Sequence, residues 1–335
     1  MRITQDLLHK FARETVKQRQ RSEPDLHAAY LTGSVLSESP LLGGATDIDL
    51  VLVHKYQAPV DREILGLTSE ISLDIFHKRQ EDYNQPRHLR QDPWMGYPLT
   101  RMPILLYDTD HWLEFIQSSV RAEFHRTDNV LARVYRMMNA ARESWFSLVQ
   151  TPSVTHLDWL NRYLETLSLG ANAISGLIGA PLTPRRFLST FKQRVDTLGV
   201  PHLITGFFGL LGFSEEVRTF VPSWAEGFEV DFDHILESAN PPMHLAECRR
   251  GYYQQGIRAL ILDETPDLAI WPLLRTWIDL HLAMPKPSPG TDIWEDCLSA
   301  LNLTEDQTDQ KTEALDAYLD TLEINIEAWS EAYGI

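Results

Sequence analysis

Apolar and polar positions recur with two different periods along this chain, and the change of period divides it. Leu7, Leu8, Phe11, Ala12 and Val16 are spaced three and four apart, as on one face of an amphipathic helix, and the polar run at 17–21 closes it. Pro24 separates that helix from residues 26–32, a short strand candidate. Residues 47–54 give the clearest strand signal: Leu50, Val51, Leu52 and Val53 are apolar on both faces, as in a central strand. Ile71, Leu73 and Ile75 alternate with Ser72, Asp74 and Phe76, which predicts a further strand. Residues 62–67 fit either a short helix or a strand. Pro86, Pro93, Pro98 and Pro103 mark a polar connection to another strand at 104–108, after which Asp108 or Thr109 caps a helix carrying Trp112, Leu113, Phe115 and Ile116.

Beyond about residue 120 strand signals nearly vanish. Leu131, Val134, Tyr135 and Met138 mark one helix, and Leu157, Leu160, Tyr163, Leu164 and Leu167 mark another that starts from a Thr155 cap. Phe187, Leu188, Phe191 and Val195 resume the spacing, and residues 271–282 read as helical. Pro285, Pro287, Pro289 and Gly290 form the clearest internal break. In the last helix Leu315, Tyr318, Leu319, Leu322, Ile326, Trp329 and Tyr333 make one apolar stripe, announced by Thr304 and Gln307 in capping-box spacing. The expected fold is α+β: residues 1–115 as an α/β unit with a small mixed sheet, and residues 116–335 as a mainly helical domain that binds an acceptor or a partner.

Composition narrows the function. The chain has 335 residues with 43% hydrophobic and 10% aromatic content, enough to fill a sizeable core. Lys+Arg 30 against Asp+Glu 47 gives a net charge of -17, which argues against a general nucleic-acid binder. Residues 291–335 hold twelve acids and one basic residue, Lys311, and read as a solvated helix face. Two cysteines, Cys248 and Cys297, make no disulfide framework. With no signal-peptide pattern and no apolar run near the ~20 residues of a membrane span, the expectation is a reduced, cytoplasmic protein.

The candidate chemistry lies at the strongest strand. In a strand, residues two apart share a face, so Asp47 and Asp49 project together while Ile48 and Leu50 turn away. Asp74 takes the matching phase of its own strand and joins them if the two strands are neighbours. Acids side by side repel one another and call for a cation, and an oxygen-only donor set suits magnesium. Upstream, Gly33 allows close backbone approach and Ser34 offers a hydroxyl and an N–H. His54 and His77 end the two acid-bearing strands, and hydrogen bonds to backbone are their expected role.

Gly33-Ser34, a twelve-residue gap, Asp47-Ile48-Asp49 in an apolar strand and Asp74 in a later strand resemble the nucleotidyltransferase superfamily of DNA polymerase β. The likeness is nearer to small-molecule members such as the kanamycin and streptomycin nucleotidyltransferases and to the minimal nucleotidyltransferases, and covers roughly residues 26–108. It implies that Asp47, Asp49 and Asp74 hold two Mg2+ ions, that Gly33 and Ser34 receive the phosphates of ATP or another nucleoside triphosphate, and that Asp74 helps deprotonate the acceptor. The implied reaction moves a nucleoside monophosphate, AMP from ATP in the first instance, to a hydroxyl of a small molecule such as an aminoglycoside-like compound. Alternatives are AMPylation of a protein, as in toxin–antitoxin pairs, and a non-catalytic nucleotide-binding regulator. The loop 35–46 lacks the basic residue such enzymes often carry there. Lys55, Arg79, Arg87, Arg101, Arg126, Arg133 and Arg136 are the candidate phosphate partners, and Glu123, Glu143 and Glu165 the candidate bases from the helical region.

Overall fold

The computed structural model describes residues 3–101, 105–151, 155–238, 240–263, 265–284 and 288–334. In chain order, α1 (Gln5–Ser22) leads to β1 (Leu26–Thr32), β2 (Thr46–His54), β3 (Arg62–Gly66) and β4 (Ile71–Arg79), then α2 (Pro86–Arg90), α3 (Pro93–Thr100), β5 (Leu105–Asp108) and α4 (Trp112–Glu123). Among the described residues ten helices follow: α5 (Thr127–Gln150), α6 (His156–Ser175), α7 (Phe187–Thr197), α8 (His202–Leu211), α9 (Glu215–Arg218), α10 (Val221–Leu236), α11 (Glu247–Leu262), α12 (Ile270–Ala283), α13 (Thr291–Ala300) and α14 (Thr308–Ala332). The class is α+β, with a mixed sheet in the N-terminal part and helices after it.

Among the described residues the sheet has five strands, in the order β3-β4-β2-β1-β5. Only β2 and β4 run parallel; β1 pairs antiparallel with β2 and β5, and β3 with β4. β2 is therefore the central strand, as its two-sided apolar pattern requires. Residues 62–67, ambiguous in sequence, resolve as β3, a short edge strand. Ile104 and Pro103 lie outside the described residues, as do Pro285 and Pro287 of the internal break.

Strand parity sorts the sheet into two faces. Ile48, Leu50 and Leu52 of β2 and Ile71, Leu73 and Ile75 of β4 pack with Leu8, Ala12 and Val16 of α1. Burying each such side chain contributes roughly 1.5–3 kcal/mol. On the other face Ala28, Tyr30, Val51 and Val53 are covered by Leu89, Leu99, Leu113, Ile116, Val120 and Phe124. The covering helices come largely from the segment read as a polar connection. Pro86 and Pro93 open α2 and α3, where a missing N–H costs nothing. Asp92 accepts from the N–H groups of Trp94 and Met95, and Asp108 from those of Leu113 and Glu114, so the expected cap of α4 forms.

The chain forms two compact units. One comprises residues 1–129 with 242–256, the other 130–241 with 257–335. The units are cut differently from a division at 115/116: the first helix of the helical stretch, α4, packs on the sheet, and the chain returns to the sheet unit at 242–256. In the second unit, Thr155 and Asp158 form a capping box on α6. The capping box expected at Thr304 and Gln307 does not form; Thr304 instead donates to Asp306, and α14 starts at Thr308. The acids of α14 are not simply solvated either, because Arg142 bridges Asp316, Asp320 and Glu323. Lys311 is buried and donates to the carbonyls of Gly209 and Leu210.

Ile48 is fully buried between the two acid positions. Ile48→Ala is expected to lower stability by about 2–5 kcal/mol, because the α1 interface collapses only partly into the space left. A urea midpoint that does not move would show that this packing does not set the parity of β2.

Candidate active site on the acid face of the sheet

The parallel register of β2 and β4 places Asp49 directly opposite Asp74, and Asp47 opposite Ser72. All of them fall on the face away from α1. A carboxylate oxygen from each of Asp47, Asp49 and Asp74 lies within 4.8 Å of the others. Asp47 is 7% and Asp74 2% exposed, whereas Asp49 is partly exposed, so the cluster meets solvent at Asp49. The three acids read from the sequence are brought together.

Two arginines meet them. Arg62 of β3 donates twice to Asp74, Nε to Oδ1 at 2.7 Å and Nη2 to Oδ2 at 2.6 Å, and lies over the Phe76 ring. Such a fork on a carboxylate is among the stronger polar contacts available. Arg249 of α11 donates from Nη1 to Asp47 Oδ2 and to Ser72 Oγ, both at 3.1 Å. Its guanidinium carbon is 3.8 Å from the centre of the Tyr252 ring. The start of α11 reaches this face through a close backbone contact: a Cβ at Gly251 would stand 2.6 Å from the carbonyl oxygen of Ser69.

The electrostatics concentrate on Asp49. Three carboxylates against two guanidiniums leave one negative charge in excess. Burial first, then repulsion from Asp47 and Asp74, push the Asp49 carboxyl well above the usual aspartate range, against the pull of Arg249 and Arg62. Burial alone would lower Arg249, but attraction to Asp47, Tyr253, Tyr252 and Asp74 outweighs it and raises the group. The Arg62 guanidinium is raised chiefly by its hydrogen bonds to Asp74. Arg249 Nε is a buried donor with no partner among the described residues. An acceptor-rich ligand at this face would find it free.

Gly33 is fixed by the same cluster. It has φ +70, and a Cβ there would lie 1.7 Å from Asp49 Oδ2. Glycine is the residue that both adopts this conformation and clears the carboxylate. Ser34 stands next to it in a short 3-10 turn, its Oγ 3.4 Å from Thr46 Oγ1. Thr32 occupies the cap position of that turn, without a side-chain cap hydrogen bond.

The other first-unit candidates have different surroundings. Lys55 lies over Tyr56, Arg101 over Tyr97, and Arg79 and Arg126 pair with nearby acids. Arg87 is exposed, and Arg133 and Arg136 belong to the second unit. Glu123 pairs with Arg90, while Glu143 and Glu165 are second-unit residues. His54 and His77 bond to one another rather than to backbone, on the opposite face. Sequence reading missed both arginines that matter. Arg62 had a signal: with 62–66 read as an edge strand, it stands diagonal to Asp74 across the ladder. Arg249 had none, being 202 positions from Asp47.

The donor set fits a hard divalent ion: three carboxylates, no sulfur or imidazole, and a surplus of negative charge. No family model and no curated protein matches this chain.

The raised Asp49 carboxyl sets a pH dependence. Its folded pKa lies above its unfolded one, so the folded chain holds that proton more tightly, and stability falls as pH rises between the two values. In chelator-treated protein, Asp49→Asn should therefore be more stable than the parent at pH 8, by on the order of 1 kcal/mol or about 2–4 °C, with the gain vanishing in acid. Calorimetric melts across pH decide this; a gain that is larger in acid would contradict the charge assignment.

Proposed function

We propose that this protein is a magnesium-dependent nucleotidyltransferase that moves a nucleoside monophosphate from a nucleoside triphosphate, ATP in the first instance, to a hydroxyl group of a small-molecule acceptor. The observation that carries the reading is the face-to-face placement of Asp49 and Asp74 across two parallel strands, with Asp47 on the same face and Gly33 pressed against Asp49. A chance cluster of solvated acids needs neither that register nor a glycine held at positive φ. The resemblance of Gly33-Ser34, Asp47-Ile48-Asp49 and Asp74 to the polymerase β superfamily points the same way.

Nucleotidyl transfer builds charge on oxygens that are already anionic, so positioning and neutralisation supply most of the acceleration. Asp47, Asp49 and Asp74 are the residues that would hold the ions. Those ions, when bound, would neutralise the phosphate oxygens and lower the pKa of the attacking hydroxyl.

The chain's own residues do the rest. Arg62 and Arg249 are a matched pair of phosphate partners, already beside the acids and needing only a change of acceptor. Arg249 is the better prepared, since its buried Nε has no partner among the described residues and Tyr252 holds its plane. Arg62, turning from Asp74 to a phosphate, would free both carboxylate oxygens of Asp74 to bind an ion or accept the acceptor's proton. Gly33 leaves the approach open where a side chain would close it.

Calorimetry with MgATP, MgGTP, MgCTP and MgUTP tests the reading, followed by transfer of labelled nucleotide to a panel of aminoglycosides and to protein. Binding of at least one nucleotide that requires magnesium is expected. Asp47→Asn and Asp49→Asn should each lower transfer at least about 100-fold, as expected for losing a metal ligand, with the fold retained by circular dichroism. Absence of nucleotide binding in magnesium would sink the proposal, and labelling of protein alone would move the acceptor to that class.

A further inference from the structure

The same sheet carries a second polar cluster, on its other face and at the other end of β2 and β4. His54 ends the row Ile48, Leu50, Leu52, and His77 ends the row Ile71, Leu73, Ile75, so both rings extend the α1-facing core and are 2% and 3% exposed. Glu63 projects to this side from β3, and Arg19 and Glu23 come from the end of α1. We propose that Glu23, His54 and His77 are the ligands of a transition-metal site, zinc by donor type, with Glu63 as the outer partner of His77. This site is independent of the nucleotidyl-transfer reading.

The hydrogen bonds already sort the roles. His77 Nε2 donates to Glu63 Oε1 at 2.7 Å. That bond fixes the tautomer and turns the Nδ1 lone pair inward, as an outer carboxylate does for a metal-binding histidine. His77 Nδ1 lies 2.8 Å from His54 Nε2. The ring centres are 5.0 Å apart with planes inclined by only 18°, so the two nitrogens meet nearly edge to edge and share one proton. Arg19 holds the carboxylates from outside, donating to Glu63 Oε2 and to Glu23 Oε1, each at 2.7 Å.

The decisive atom is Glu23 Oε2. It is buried, has no hydrogen-bond partner among the described residues, and lies 4.0 Å from His54 Nε2. A carboxylate oxygen without a partner is costly to bury. The three donor atoms lie within 4.8 Å of one another. An ion taking the place of the shared proton needs the two nitrogens to open from 2.8 Å to about 3.3 Å, which seats tetrahedral bonds of about 2.0–2.1 Å. Glu23 would be the third ligand and the fourth position would stay open. Two imidazoles and one carboxylate select zinc or cobalt over magnesium, whereas the all-oxygen triad on the other face does the reverse. The side chains of Arg19, Glu23 and Glu63 are 21%, 17% and 24% exposed, which leaves an entry path. A metal here would pin the last turn of α1 to the ends of the two parallel strands.

Titration of the chelator-stripped full chain with Co2+ and Zn2+ tests this. One Co2+ per chain is expected, with the visible bands of a tetrahedral nitrogen–oxygen site, displaced by zinc and accompanied by a rise in melting temperature. Asp47→Asn should leave those bands unchanged. His77→Gln and Glu23→Gln should abolish them, and Glu63→Gln should weaken binding by about 10–100-fold. The parent titration decides even if a variant fails to fold: no stoichiometric Co2+ or Zn2+ binding overturns the site. Bands that survive His77→Gln but vanish in Asp47→Asn would place the ion on the other face and overturn it equally.

Discussion

Three carboxyl groups held within 4.8 Å of one another are the constraint that the acid face of this protein answers to. The parallel register of β2 and β4 cannot be relaxed by one residue without turning Ile48, Leu50, Leu73 and Ile75 out of the core. The hydrophobic packing of α1 therefore forces Asp49 against Asp74, and the rest of the site follows as compensation. Arg62 comes from the edge strand, Arg249 from a helix much later in the chain, and Gly33 gives up a side chain to leave room for Asp49. Stability and charge oppose each other here, at a cluster of acids that could hold a metal ion.

The two faces of one sheet carry two kinds of donor. Alternation of period two sends Asp47, Asp49 and Asp74 to one side and His54, His77 and Glu63 to the other. Oxygen donors with arginines suit a hard ion and phosphate, and imidazoles with a carboxylate suit a softer one. The apolar layer between α1 and the sheet separates the two sets from each other along the strands.

Much of this could be read from the sequence because the signals are local. β4 follows directly from alternation, β1 as a short strand candidate set off by Pro24, β2 from an apolar run flanked by turn chemistry, and the acid triad from the phase of Asp47, Asp49 and Asp74. What could not be read depends on contacts remote in the chain or on competition between neighbours. Arg249 belongs to the acids only because residues 242–256 return to the sheet unit. Helices α2 and α3 were hidden by prolines that sit at helix starts, where proline is welcome. Thr304 and Gln307 have the spacing of a capping box, yet Asp306 between them takes both side chains. The pairing of His54 with His77 requires knowing that their strands adjoin.

The origin of Arg249 has a consequence for how the protein is made. Asp47, Asp49 and Asp74 leave the ribosome well before Arg249, and the strands that hold them can pair as soon as β4 is complete. The cation that balances Asp47 is still unsynthesised, and at about 5–20 residues per second it follows Asp74 by on the order of ten seconds or more. Through that interval the nascent sheet carries an unbalanced acidic face and lacks one of its two arginines. A growing chain thus holds its three carboxylates long before it holds the second arginine that meets them.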